Sequence, residues 1–177
     1  MPSLIFDHPI LTPLIVEPTN VSLQLLQKEL YANARSIYST RGGGNNGHLA
    51  IIMPDADYLL RTTNIPFTVP VHPGPVPVHA DTPTAFQITE TNRLFKQSID
   101  DHLVLYTAVK AQLKQQIITA VEYTFLQLLE DPDFGFADVE PNALLVHLKT
   151  VYGLITSSGI ESNREALTAD WNPDEPI

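Results

Sequence analysis

The stretch TAFQITETNRLFKQSIDDHLVLYTAVKAQLKQQIITAVEYTFLQLLE, residues 84–130, decides the fold, and it holds neither glycine nor proline. Within it Ile88, Phe95, Ile99, Leu103, Tyr106, Val109, Leu113, Ile117, Val121, Phe125 and Leu128 recur at steps of three and four, with one step of seven. That period lines apolar side chains along one side of an α-helix, so helix is expected throughout. Unbroken, it would extend for about 70 Å, against a radius of gyration of about 16 Å for a compact chain of this size. Either the helix breaks or it stands out as an arm. Ser98 with Asp101 three residues on resembles a capping box and offers one break; the polar run at Lys114, Gln115 and Gln116 offers another. The pattern leaves residues 84–130 as one helix or two.

Toward the N-terminus, a first helix is expected to start near Thr19 or Asn20, either of which can cap it, and to carry Val21, Leu25, Leu26, Leu30, Ala34 and Ile37 on one face. It runs into RGGGNNGHLAIIMPDADYLL, residues 41–60. A phosphate-binding P-loop needs Lys and then Ser or Thr after its last glycine; here Gly47 is followed by His48 and Leu49. A dinucleotide fingerprint needs a strand before the glycines, where this chain has the end of a helix. Gly42, Gly43 and Gly44 are therefore expected to form a flexible hinge that binds no phosphate, because adjacent glycines lose the most backbone entropy on ordering. The hinge lets HLAIIM fold back on the first helix, with Leu49, Ile52 and Met53 buried.

Toward the C-terminus, PNALLVHLKTVYG reads as a helix opened by Pro141 and closed by Gly153 at positive φ, followed by a helix from about Ser158 to Trp171. The final NPDEPI has the form of a helix start, as if the chain were a truncated segment of something longer. Between these helices, residues 63–83 carry Pro66, Pro70, Pro73, Pro75 and Pro77, which forbid a helix and withhold ladder donors. An extended loop or small β-hairpin turning at Gly74 and Pro75 is expected. Residues 1–18 lack the basic region of a signal peptide, are interrupted by Pro9 and Pro13, and read as an extended arm. The expected architecture is mainly α: this arm, then a single helical domain over 19–177.

Composition narrows the function. The formal charge is −10, with 20 acidic against 10 basic residues, which disfavours direct binding of nucleic acid, since that affinity comes from Lys and Arg. Without cysteine, thiolate zinc sites, disulfides and a Cys nucleophile are excluded, and a cytoplasmic location is expected. No apolar run is long enough to span a bilayer. The histidines at 8, 48, 72, 79, 102 and 147 show no HExxH spacing, and His72 with His79 lacks a third ligand, so no metal is expected. No GxSxG occurs, and the acidic pairs Asp100 with Asp101, Asp131 with Asp133, and Asp174 with Glu175 fall where capping and turns use carboxylates. No enzyme, cofactor or small-molecule ligand is expected.

The order of elements resembles a known family. STRGGGNNGHLAIIMPDADY, LKQQIITAVEYTFLQLLED and ALLVHLKTVYGLITSSGIESNREAL together resemble Gag-like proteins of LTR retrotransposons, of the copia type found in algae and similar eukaryotes, over most of the chain from about Leu30 to Ile177. The family's capsid-helix pattern is matched by Ala143, Leu144, Leu148, Tyr152 and Gly153. The resemblance implies a helical capsid-like domain that self-assembles as a homo-oligomer around element RNA, with those residues serving structure and assembly; a domesticated or relic monomeric scaffold is the alternative. The zinc knuckle that usually follows, which would bind RNA, is absent. HPGPVPVHA likewise resembles the exposed Gly-Pro loop by which some lentiviral capsids bind cyclophilin, which would make a prolyl isomerase a partner at Gly74 and Pro75.

Overall fold

A computed structural model describes residues 6–42, 45–79, 82–100 and 105–153. Thr19 caps the first helix, α1 (Asn20–Ser36): its hydroxyl accepts the Ser22 N–H, while the Ser22 hydroxyl accepts the Thr19 N–H. A short turn at Leu49–Ile51 leads to α2 (Asp55–Arg61), followed by α3 (Ala85–Ile99), α4 (Thr107–Ala120), two tight turns at Tyr123–Phe125 and Gln127–Leu129, and α5 (Pro141–Tyr152). Among the described residues there is no β-sheet; strand-like pairing consists of the isolated bridges Leu14 to Val121 and Asp131 to Gly135. The fold is mainly α, as the periodicity requires.

The core forms where α1, α4 and α5 pack against one another. Leu26 and Leu30 of α1, Val109, Leu113 and Ile117 of α4, and Leu144 and Leu148 of α5 are sealed from solvent. Removing such a side chain from water stabilises the fold by about 1.5–3 kcal/mol each. The turn at Leu49–Ile51 folds back on α1 and buries Leu49, Ile52 and Met53 as expected.

The long helical signal resolves into two helices. Ser98 does not cap: it lies inside α3 with its hydroxyl on the Leu94 carbonyl, and α3 ends one residue later. Asp100, Leu105 and Tyr106, which flank the change from α3 to α4, adopt the wider turns of a π-helix. The Lys114 to Gln116 run is no break, since α4 passes straight through it. Nor does the helix reach Glu130. At Val121 the backbone turns extended, and the Ala120 carbonyl accepts the Leu14 N–H at 2.6 Å while the Leu14 carbonyl accepts the Glu122 N–H at 2.9 Å. An N-terminal segment far away in sequence thus ends the helix by taking its last carbonyl.

Two other expectations change. The buried face of α1 is Leu23, Leu26, Glu29, Leu30, Asn33 and Ala34, leaving Val21 and Leu25 in solvent. The sequence period is right, but two polar residues occupy the face and displace the apolar ones assigned to it. In the proline-rich segment the described residues form no hairpin ladder. The segment is an extended loop pinned by Phe67, whose ring centroid lies 6.1 Å from that of Tyr106 and 6.2 Å from that of Tyr58. Expectations for residues 154–177, including the helix from Ser158 to Trp171, lie outside the described residues.

Leu113 and Leu128 fall on the same sequence stripe but in opposite environments, sealed and 77% exposed. Leu113→Ala is expected to destabilise by about 2–5 kcal/mol and Leu128→Ala by less than about 0.5 kcal/mol, measured by chemical denaturation. Equal losses would mean that the helix continues past Ala120.

Candidate functional site

The N-terminal arm is extended, yet it is part of the core. Phe6, Leu11 and Leu14 are buried in the same apolar cluster as the helices, and a row of polar side chains from α1 and α4 holds the backbone between them. Asn33, with none of its surface exposed, accepts the His8 N–H at 2.7 Å and donates to the His8 carbonyl at 2.8 Å. Its second N–H bond goes to Gln116 Oε1 at 2.9 Å. Gln116 in turn donates to the carbonyls of His8 and Pro9, at 3.0 and 3.2 Å. Four residues before Asn33, the Glu29 carboxylate accepts both the Thr12 N–H, at 2.8 Å, and the Thr12 hydroxyl, at 2.6 Å. The Asn33 carboxamide presents a donor and an acceptor side by side, as a neighbouring β-strand would, and its orientation is fixed because His8 offers one of each.

The glycine-rich turn is a cap on the far end of α1. Gly47 has φ of 52°, and a Cβ there would lie 2.6 Å from the Ala34 and Ile37 carbonyl oxygens and 2.7 Å from that of Arg35. Only glycine fits both the conformation and the space. The next residue closes the helix end: the His48 N–H donates to the Ala34 carbonyl at 2.8 Å, and its ring Nδ1 lies 3.1 Å from the Ile37 carbonyl. A carbonyl partner requires the proton on Nδ1. This turn therefore faces the carbonyl end of a helix, where the partial charge is negative and a phosphate is repelled. Gly42 is packed rather than open, since a Cβ would meet the Tyr58 hydroxyl and come within 3.0 Å of Phe67. Gly43 and Gly44 lie outside the described residues.

The residues that carry the resemblance, Ala143 to Gly153, fall on α5 and its C-terminal end with different fates. Leu144 and Leu148 are sealed in the core, Ala143 faces solvent, and Tyr152 is half-buried with its ring edge-on to Phe125 at 5.3 Å. Gly153 ends the helix at φ of −79° rather than at the positive φ expected. Its N–H keeps the helical bond to the Lys149 carbonyl at 2.9 Å, so no left-handed turn forms. What requires glycine is space, because a Cβ would collide with the Lys149 carbonyl oxygen. The Gly153 carbonyl accepts Asn20 Nδ2 at 3.2 Å, joining the end of α5 to the start of α1. In the proline-rich loop Pro75 is exposed, and the Gly74 N–H donates to His72 Nδ1 at 3.1 Å.

An open cleft of about 250 Å³ lies between α2 and the loop, with Asp55, Tyr58, Phe67, Val69 and Tyr106 among its lining residues. Among the described residues no three His, Asp or Glu side chains are grouped to hold a metal ion, and no helix is long and apolar enough to cross a membrane. His147 is satisfied by the Phe125 carbonyl at 3.1 Å from Nε2. No family model, curated protein or solved structure matches the chain.

Sequence reasoning missed the clamp formed by Glu29, Asn33 and Gln116. Its one signal was the spacing of Glu29 and Asn33, four apart and so on the same face of α1 as Leu26 and Leu30.

Burial lowers the pKa of His48, against a smaller opposing effect of its bond to Ile37. An unfolded histidine takes up its proton near pH 6.5, whereas folded His48 does so only at lower pH. Its contribution is thus complete above about pH 6.5 and is lost as the pH falls through the folded value. The melting temperature is expected to drop between about pH 7 and 5, with a shallower drop in His48→Gln. An identical slope in the variant would contradict this assignment.

Proposed function

We propose that this chain is a Gag-like structural protein of the copia type, a non-catalytic helical subunit that associates with copies of itself into capsid-like particles. The observation that carries the reading is α3. Thr84 and Gln87 cap this helix reciprocally, yet none of its residues is buried, and Phe86 and Leu94 are 77% and 50% exposed. Its Glu90 to Arg93 ion pair, at 2.7 Å, lies in solvent and contributes little. A helix of 15 residues is marginal in water without packing. Apolar side chains on such a helix gain stability when a partner covers them, and a second copy supplies a matching face about a two-fold axis.

The resemblance of the glycine turn and of the Ala143 to Gly153 pattern to Gag-like proteins supports the same reading. Because Leu144 and Leu148 serve the core, the contacts between subunits fall to exposed apolar residues. Small contacts of this kind gain strength when each subunit makes several. Pro75 is exposed at the loop tip beside half-buried Gly74, with Val76 and Val78 in solvent, which supports a prolyl isomerase as a further partner.

Light scattering over a concentration series tests the reading. The full chain is expected to form oligomers as concentration rises. Phe86→Glu is expected to keep it monomeric while changing its unfolding free energy by less than about 0.5 kcal/mol. A wild-type chain that stays monomeric at high concentration would contradict assembly and leave a monomeric binding scaffold.

A further inference from the structure

The groove between α1 and α4 has the properties of a peptide-binding site filled by the chain's own N-terminus. It reads the backbone of residues 8–14 at four places: Asn33 takes both polar groups of His8, Gln116 takes the carbonyls of His8 and Pro9, Glu29 takes the N–H of Thr12, and Ala120 takes that of Leu14. It reads side chains as well, burying Phe6, Leu11 and Leu14 while leaving Ile10 85% exposed. Such a site recognises an extended segment in one register, because a shift by one residue would put Pro9, which has no N–H, against the Asn33 acceptor.

We infer that this groove also accepts residues 6–14 of a second copy, so that crowded subunits exchange their N-terminal segments. Every bond named above joins the segment to the groove, and none depends on both belonging to one chain. The segment is tied to α1 by Ile15, Val16 and Glu17, which are exposed, and by Pro18, which is buried. Swinging it outward leaves the buried Asn33 and Glu29 side chains without these partners, so segments pass between copies as chains unfold and refold. Identical contacts form in either arrangement, so concentration decides between them. A short tether holds the segment at an effective concentration in the millimolar range, which keeps the dilute chain closed. Exchange competes once neighbouring copies reach a similar local concentration. Ile10, Ile15 and Val16, all more than 70% exposed, then give paired copies apolar surface to bury. The inference stands on the groove and not on α3.

Paramagnetic broadening between full-length chains tests it. The chain contains no cysteine, so Ile10→Cys carries a single nitroxide at an exposed position. This chain is mixed with isotope-labelled wild type at about 0.05 and about 1 mM, the first well below the tether's effective range and the second within it. At the higher concentration the amides of Glu29, Asn33, Gln116 and Val121 in the wild-type chain are expected to broaden selectively; at the lower they are not. Deleting Val16 and Glu17 from both chains shortens the tether so that the segment no longer reaches its own groove, and is expected to bring the same broadening to the sample at about 0.05 mM. No broadening in the groove at about 1 mM would overturn exchange, as would broadening that the deletion leaves confined to about 1 mM. Broadening centred on Phe86 and Leu94 instead would overturn it while supporting assembly through α3.

Discussion

Burying the Asn33 carboxamide among three packed helices is tolerable only because a distant piece of backbone meets it. An unpaired buried amide costs about 1–3 kcal/mol for each group left without a partner. Asn33 escapes that cost through His8 and Gln116, and Glu29 likewise through Thr12. The dependence runs both ways, since residues 8–14 gain from these side chains the bonds a β-sheet would otherwise supply. The arm and the three-helix core therefore form one cooperative unit.

Much of the later chain follows from the same clamp. Leu14 accepts and donates at the end of α4, and with that carbonyl taken the chain leaves the helix at Val121. Residues from there to α5 are held from the α4 side by two lysines. Lys114 donates to the Phe136 and Ala137 carbonyls at 2.9 and 2.6 Å, and Lys110 pairs with Glu140, the residue just before α5, at 2.6 Å. α5 can then return against α1, where Asn20 Nδ2 donates to the carbonyl of Gly153 just past its end. Function divides along the same line. The elements tied to the clamp each bury an apolar face in the core, whereas α3 buries none of its residues and leaves Phe86 and Leu94 in water, and on it rests the proposal that copies assemble.

What the sequence revealed was what apolar spacing can carry. The helical character of α1, α4 and α5, the Thr19 cap and the Pro141 start all depend on neighbours within one or two turns, and the folding back of Leu49 to Met53 was legible from its apolar run after a glycine turn. The clamp depends on pairs separated by 25 residues, as between His8 and Asn33, or by 108, as between His8 and Gln116. A polar residue satisfied at such a distance looks, locally, like a solvent-facing one. That is why Gln116 read as a weak point in a helix and Val21 as a core residue. The glycine turn failed in a related way: the three adjacent glycines drew attention, while the closing of α1 falls to Gly47 and His48, whose partners are the carbonyls of the preceding helix.

Native-state hydrogen exchange at the N-terminus tests the central claim most directly. If residues 8–14 are a working part of the core, the amides of His8, Thr12 and Leu14 should exchange as slowly as those of Leu30 and Leu113, through global unfolding alone. Ile10 and Ile15, whose amides are not held by the clamp, should exchange faster. Rapid exchange at His8, Thr12 and Leu14 with the helices still protected would show a loose arm, and would contradict the account that the fold is built around Asn33.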